Sequence, residues 1–177
     1  KELAGQSFTG RLGIGHTRWA THGVPSVRNA HPHSVGGISL VHNGIIENYQ
    51  EIREDLLKRN ATITSDTDSE LVAHLLSEEV LKTKDLFKAV QNVLGHLRGA
   101  FSIVAIWDQQ PDLMVAFKDG PPLVVGIGEK ESFVVSDVQA ALQYTKKFIY
   151  LDDRQIVVVN EKATSSDRVS IFSAQGA

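Results

Sequence analysis

Two short stretches, GHTRWATHG at residues 15–23 and VHNGIIEN at residues 41–48, carry most of the information in this chain of 177 residues. The first continues a predicted strand, residues 12–19, into a loop that has no hydrophobic period. The second begins in a predicted strand, residues 38–42, which ends at the turn pair Asn43-Gly44. Each stretch therefore sets polar residues at the end of a strand, where a rigid scaffold commonly presents functional side chains.

The flanking sequence predicts an α+β fold. Residues 21–37 mix Gly, Pro, Asn and His without a period and predict a long loop. Three helices with apolar stripes are predicted next, beginning near Asn48, Thr67 and Asp85, and the first two open with capping boxes. After these helices come seven short, β-branched segments separated by turn residues: 101–107, 113–117, 123–127, 133–136, 148–151, 156–159 and 169–172. Connections this short leave no room for crossover helices, so we expect stacked antiparallel sheets segregated from the helices, in one domain over residues 1–177.

The composition is that of an ordinary folded domain. Charged residues make up 22% of the chain and the formal net charge is −3. Basic residues are dispersed, which argues against nucleic acid as a partner. The apolar runs are too short to span a membrane, and the first six residues lack the apolar segment of a signal peptide. We therefore expect no membrane partner and a cytoplasmic location.

The chain contains no cysteine, which excludes disulfides and thiolate metal sites. His31 and His33 have a spacing that metal sites use, but no cluster of further ligands accompanies them. We therefore expect no metal and no cofactor.

Four polar groups suit the recognition and attack of an amino-acid amide. The planar fork of Arg18 can bind both oxygens of a carboxylate, and Asp68 can bind an ammonium group. The Asn43 amide and the Gly44 N–H can stabilise an oxyanion. Each group also has a plainer interpretation: a surface arginine, a carboxylate that complements a helix dipole, and an ordinary turn. Taken singly, these residues leave both interpretations open.

The order and spacing of four motifs resemble the class II glutamine amidotransferase domain. They are GHTRWATHG, NAHPH at 29–33, VHNGIIENY at 41–49 and SDTDSE at 65–70. Within that class, RWATHG is most similar to the glutamine:fructose-6-phosphate aminotransferases. DGPPLVVGIG at 119–128 and VSD at 135–137 extend the resemblance over essentially the whole chain. The resemblance implies the N-terminal-nucleophile hydrolase fold, a four-layer αββα sandwich.

The resemblance also implies roles around a bound glutamine. Arg18 would bind its α-carboxylate and Asp68 its α-amino group, while Thr21 and His22 would line the same pocket. Trp19 would lie where ammonia leaves toward a second domain, although the residue taken alone also suits a core aromatic.

The catalytic groups that the resemblance implies are the Asn43 side chain and the Gly44 N–H, which would form the oxyanion hole. In the family the nucleophile is a cysteine at the mature N-terminus, activated by its own α-amino group. The 177 residues contain no cysteine. We therefore expect the chain as given to lack the nucleophile and the family's first strands, and to have no glutaminase activity.

The leading hypothesis is the glutaminase domain of an enzyme that converts fructose 6-phosphate and glutamine to glucosamine 6-phosphate and glutamate. Its partners would be glutamine, glutamate and a sugar-isomerase domain of the same polypeptide, within a homo-oligomer. Two alternatives stay open. One is a nucleophile-free module that binds glutamine or another amino acid without turnover. The other is a class II amidotransferase with a different ammonia acceptor.

Overall fold

The computed structural model describes residues 10–17, 24–164 and 167–174. Three helices occupy the middle of the chain: α1 at Tyr49–Lys58, α2 at Asp68–Thr83 and α3 at Leu86–Leu94. The described strands are β1 His33–Val35, β2 Ile38–Ile46, β3 Gly99–Trp107, β4 Leu113–Asp119, β5 Val124–Ile127, β6 Ser132–Val135, β7 Phe148–Tyr150, β8 Gln155–Asn160 and β9 Val169–Ser173. Single turns of 3-10 helix occur at Val27–Asn29 and Val138–Ala140.

The strands form two antiparallel sheets. One has six strands in the order β1-β2-β3-β4-β8-β9, and the other has three in the order β6-β5-β7. The β2–β3 ladder runs from Ile38 opposite Trp107 to Ile46 opposite Gly99. All seven strands predicted in the second half of the chain are present, and their antiparallel pairing confirms the α+β prediction.

Side chains alternate across β2 and β3 and so divide the interior into two apolar clusters. On one face, Leu40, Phe101 and Ile103 pack with the buried sides of the three helices. On the other face, Val104 packs with Val125 of the three-stranded sheet. The six-stranded sheet is therefore the shared middle layer between the helices and the second sheet.

The outer side of the three-stranded sheet carries a thin covering. Val134 of β6 packs toward the six-stranded sheet, so its neighbour Phe133 faces outward. The ring of Tyr144, which follows the 3-10 turn, stacks on Phe133 with 5.3 Å between ring centroids. The three α-helices of the described residues all pack on the six-stranded sheet, so the described part of the chain shows a helix layer and two sheets.

The helix starts agree only partly with their sequence prediction. Thr67 caps α2 by accepting a hydrogen bond from the Glu70 N–H, which is one half of the predicted capping box. The other half is not formed, because the Thr67 N–H donates to the Ser65 hydroxyl. Asn48 precedes α1 but makes no capping bond. Its side chain instead donates to the His96 carbonyl and accepts from the Arg98 N–H, each at 2.9 Å. A tertiary bridge therefore takes the place of the predicted capping box. None of the helices in the described ranges is long and apolar enough to cross a membrane.

The prediction that Asn43-Gly44 forms a turn is wrong. β2 continues through this pair to Ile46, because the β3 ladder places Asn43 opposite Ser102 and Gly44 opposite Phe101. Two residue types that are common in turns are thus held extended by a long-range partner strand.

Two further strand predictions need correction. β1 lies inside the predicted loop and pairs with the first residues of β2, so residues 21–37 are not wholly irregular. The strand predicted at 12–19 is described only to residue 17. Residues 12–17 have no strand pairing within the described ranges, so the structure describes no strand there.

Glu70 is a buried carboxylate that holds the segment before α2. It is 4% exposed and accepts hydrogen bonds from the Thr64 N–H and hydroxyl, at 2.8 and 2.7 Å, and from the Ser65 N–H. Burial acts to raise the pKa of this carboxyl, but the hydrogen bonds from Ser65 and Thr64 outweigh it and lower the pKa to about 2. Glu70 therefore stays ionised in mildly acidic solution.

This pKa makes Glu70 a source of acid sensitivity. The unfolded chain has the ordinary glutamate pKa of 4.5 and binds a proton before the folded state does. The contribution of Glu70 to the free energy of unfolding is therefore complete above that pH and is lost as the pH falls toward about 2. A shift of this size corresponds to about 3 kcal/mol.

We expect the stability of Glu70→Gln, measured by urea unfolding, to fall less steeply than that of the wild type between about pH 5 and about pH 2.5, because the amide has no proton to bind. Glu129→Gln, which alters an exposed carboxyl, is the matched control and should keep the wild-type slope. An unchanged slope in Glu70→Gln would contradict the assignment.

Candidate functional site

A cleft of about 360 Å³ opens between the two sheets. Valines from β2, β3 and β6, with Leu123 and Ala140, form its apolar lining. The polar residues around it are His16, Thr17, His42, Asn43, Ser102, Ser136 and Asp137. A cleft of this size, with few polar groups on mostly apolar walls, suits a small polar molecule.

Asn43 reaches this cleft because of the alternation of β2. Val41 and Asn43 stand opposite Val104 and Ser102 on β3, on the face that looks toward the three-stranded sheet. His42, between them, points to the opposite face and the helices. The predicted catalytic amide is therefore on the cleft wall.

A contact with the segment before β1 holds the Asn43 amide. The Nε2 atom of His16 lies 2.8 Å from the Oδ1 atom of Asn43. Both residues line the cleft, so this hydrogen bond joins two walls of the candidate site. The sequence singled out Asn43 but gave His16 no role, because nothing local to residue 16 indicates which strand it contacts.

Gly44 has a structural reason to be glycine that is independent of any chemistry. Its φ angle is +112°, and a Cβ atom there would lie 2.2 Å from the carbonyl oxygen of Ala100 on β3. A side chain is therefore excluded both by backbone conformation and by space. This close approach lets β2 stay paired with β3 through residue 44.

Asp68 lies on the helix side of β2, across the sheet from the Asn43 side chain. It is the first residue of α2 and is 2% exposed. Its Oδ2 atom accepts a hydrogen bond from the Ile46 N–H at 2.9 Å, and its Oδ1 atom lies 3.7 Å from Nδ1 of His42. It is not among the described residues that line the cleft. The structure thus brings Asn43 and Gly44 together on β2 and attaches Asp68 to the end of the same strand.

Histidine side chains cluster behind the cleft. The ring of His31 lies 4.3 Å from that of His16, 5.1 Å from that of His33 and 6.4 Å from that of His42, between centroids. The hydroxyl of Ser69 on α2 is 2.9 Å from Nε2 of His31 and 2.8 Å from Nδ1 of His42. Within the described ranges, no group of three or more His, Asp and Glu side chains is arranged to hold a metal ion.

Arg18, Trp19, Thr21 and His22 lie outside the described residues. Their assignment to substrate binding stays a prediction.

Comparison with known proteins gives one matching family and several relatives that share one name. A family model described as "Glutamine amidotransferase domain" matches residues 16–143. The glutamine–fructose-6-phosphate aminotransferase (isomerizing) of Thermococcus kodakarensis is 46% identical over 171 residues, which are 96% of this chain and 28% of that protein. The protein of the same name from Aquifex aeolicus is 44% identical over 178 aligned residues, 99% of this chain and 29% of its own length. The chain thus spans somewhat more than a quarter of the length of these relatives.

Solved structures share the fold at lower identity. Glutamine phosphoribosylpyrophosphate amidotransferase from B. subtilis superposes with a TM-score of 0.71 at 20% identity, over 92% of this chain and 34% of that one. The allosteric regulatory enzyme of purine biosynthesis gives a TM-score of 0.68 at 18% identity, over 85% of this chain and 32% of its own. The predicted fold, that of the N-terminal-nucleophile amidotransferases, is therefore confirmed.

Gly44→Ala should destabilise the protein by about 2–4 kcal/mol, because the added methyl group meets backbone at a positive φ angle. Gly13→Ala is the matched control, since a Cβ atom there has nothing within 4 Å, and it should stay within about 0.5 kcal/mol of the wild type. Urea unfolding followed by circular dichroism measures both. A Gly44→Ala protein as stable as Gly13→Ala would show that the two backbones do not approach as described.

Proposed function

Because this chain belongs to the glutamine amidotransferase domain family, we propose that it is the glutaminase domain of an enzyme that forms glucosamine 6-phosphate and glutamate from fructose 6-phosphate and glutamine. The choice of acceptor rests on relatives named glutamine–fructose-6-phosphate aminotransferase that are 44–46% identical over nearly the whole chain. The observation that carries the hydrolysis of glutamine is the Asn43 amide on the wall of the cleft.

The proposed reaction is the attack of a thiolate on the side-chain carbonyl carbon of glutamine. The carbonyl oxygen becomes an oxyanion and the C–N bond then breaks. Ammonia leaves with the proton that the α-amino group of the nucleophilic cysteine took from its thiol. Water then cleaves the thioester and gives glutamate. In these steps the side-chain amide of Asn43 and the backbone N–H of Gly44 donate hydrogen bonds to the oxyanion. One such donor contributes about 10²–10³-fold to turnover.

The substrate-binding part of the proposal rests on the family resemblance. Arg18 binds the α-carboxylate, Asp68 the α-ammonium group, and Thr21 and His22 complete the pocket. Trp19 stands where ammonia leaves. Asp68 is buried on the helix side of β2, where it accepts the Ile46 N–H, and it does not line the cleft. Its role toward the α-ammonium group is therefore carried by the family resemblance alone.

The wider assignment is a proposal of the same kind. Residues 1–177 form one amidotransferase domain, which delivers ammonia to a sugar-isomerase domain of the same polypeptide. The enzyme is a cytoplasmic homo-oligomer. A second candidate function, binding of glutamine without turnover, is favoured by one observation, which is that the 177 residues contain no cysteine.

We expect the chain of 177 residues to show no glutaminase activity by itself, because it contains no thiol that can attack the amide. Glutamate release from glutamine, followed with the chain alone and with the complete gene product, separates the two candidates. Activity in the complete gene product supports the enzyme. Its absence there, with retained glutamine binding by calorimetry, would support the binding module.

Two substitutions in the complete gene product separate turnover from recognition. Asn43→Ala should lower kcat by about 10²–10³ with little change in the KM for glutamine, because an oxyanion exists only along the reaction path. Asp68→Asn should chiefly raise the KM, because it removes the charge that pairs with the α-ammonium group. Asn92→Ala, which removes an exposed amide on α3, is the control. An Asn43→Ala protein changed only in KM would refute the oxyanion-hole assignment.

A further inference from the structure

We propose that His16 is a positioning residue that fixes which end of the Asn43 amide faces the substrate. The inference rests on the proposed function of Asn43 as an oxyanion-hole donor. It begins from the 2.8 Å contact between His16 Nε2 and Asn43 Oδ1.

The chemistry of this contact sets the polarity of the amide. Oδ1 of an asparagine can only accept a hydrogen bond, so the imidazole must be the donor and must carry its proton on Nε2. Both N–H groups of the Asn43 amide are then directed away from His16 and are left for the cleft. In the opposite orientation the amide oxygen, instead of the N–H groups, would face the cleft and would repel a developing oxyanion.

The His16 ring is itself supported by buried structure. The ring of His31 packs against it at 4.3 Å with the two planes 45° apart. His31 in turn is hydrogen bonded to the hydroxyl of Ser69, which is 1% exposed on α2. Through this chain of contacts, the helix layer supports a group on the cleft wall, which is the arrangement that catalytic preorganisation needs.

Substitutions of His16 can separate the effect of its hydrogen-bond donor from the effect of its ring packing. His16→Phe keeps a flat ring against His31 and removes the N–H, whereas His16→Gln keeps a side-chain N–H that can reach Oδ1. In the complete gene product, His16→Phe should lower kcat about 10- to 100-fold, with the KM for glutamine within about twofold, because a misoriented donor still acts part of the time. His16→Gln should recover most of the loss. His96→Phe, at an exposed position outside the cleft, is the control and should leave kcat unchanged.

A double substitution tests whether His16 acts through Asn43. If it does, His16→Phe combined with Asn43→Ala will have the same kcat as Asn43→Ala alone, because the amide to be oriented is gone. Two effects that multiply, or a His16→Phe protein with wild-type kcat, would overturn the proposal. The proposal would also be overturned if His16→Phe had a lower melting temperature and His16→Gln did not recover kcat. That result would show that the ring has only a structural role.

NMR on the chain of 177 residues tests the hydrogen bond whatever the activity. The ¹⁵N spectrum should show His16 protonated at Nε2, and Asn43→Ala should shift that resonance. A wild-type gene product without glutaminase activity would refute the proposed function. The ¹⁵N measurement would then still test the hydrogen bond between His16 and Asn43. A His16 unprotonated at Nε2 would refute the positioning role even in an active enzyme.

Discussion

The pairing of β2 with β3 is the constraint on which the rest of the structure depends. One face of β2 packs against the helix layer and the other faces the cleft. The register of β2 therefore decides which side chains point to each side. A slip of one residue would turn His42 into the cleft and Asn43 toward the helices. The close approach of the backbones at Gly44 and Ala100 opposes such a slip, since a residue with a side chain does not fit there. The chemistry of the cleft is thus set by a packing detail in the middle sheet.

The N-terminal end of α2 is a second fixed point, built from buried polar groups. Asp68, Ser69 and Glu70 are all at most 4% exposed. Burial of such groups is costly unless they are hydrogen bonded, and each of them bonds to a different part of the chain. Asp68 accepts from the end of β2, Ser69 contacts two histidines, and Glu70 holds the segment before the helix. The positions of α2, β2 and the histidine cluster are therefore set together.

The sequence predicted the elements whose signal is local. Short β-branched runs bounded by turn residues identified every strand after α3, and Thr67 marked the start of α2. Prediction failed where a distant partner decides. Asn43-Gly44 has the composition of a turn but is held extended by β3, and Asn48 leaves its capping role to bridge α1 and the start of β3. The candidate site divides in the same way. The family resemblance of its motif singled out Asn43, whereas the contact of Asn43 with His16 joins residues that are 27 positions apart.

The two walls of the cleft differ in how firmly the fold holds them. Asn43 belongs to β2, which pairs with β3 along its whole length of nine residues and with β1 over residues 38–40. The opposite wall is β6, four residues at the margin of a three-stranded sheet. Segments with few backbone hydrogen bonds and a thin covering open at lower free energy than central strands. Entry and exit of a ligand would then deform the β6 wall first. The wall that carries Asn43 would keep its shape throughout, because β2 is paired with β3 along its whole length.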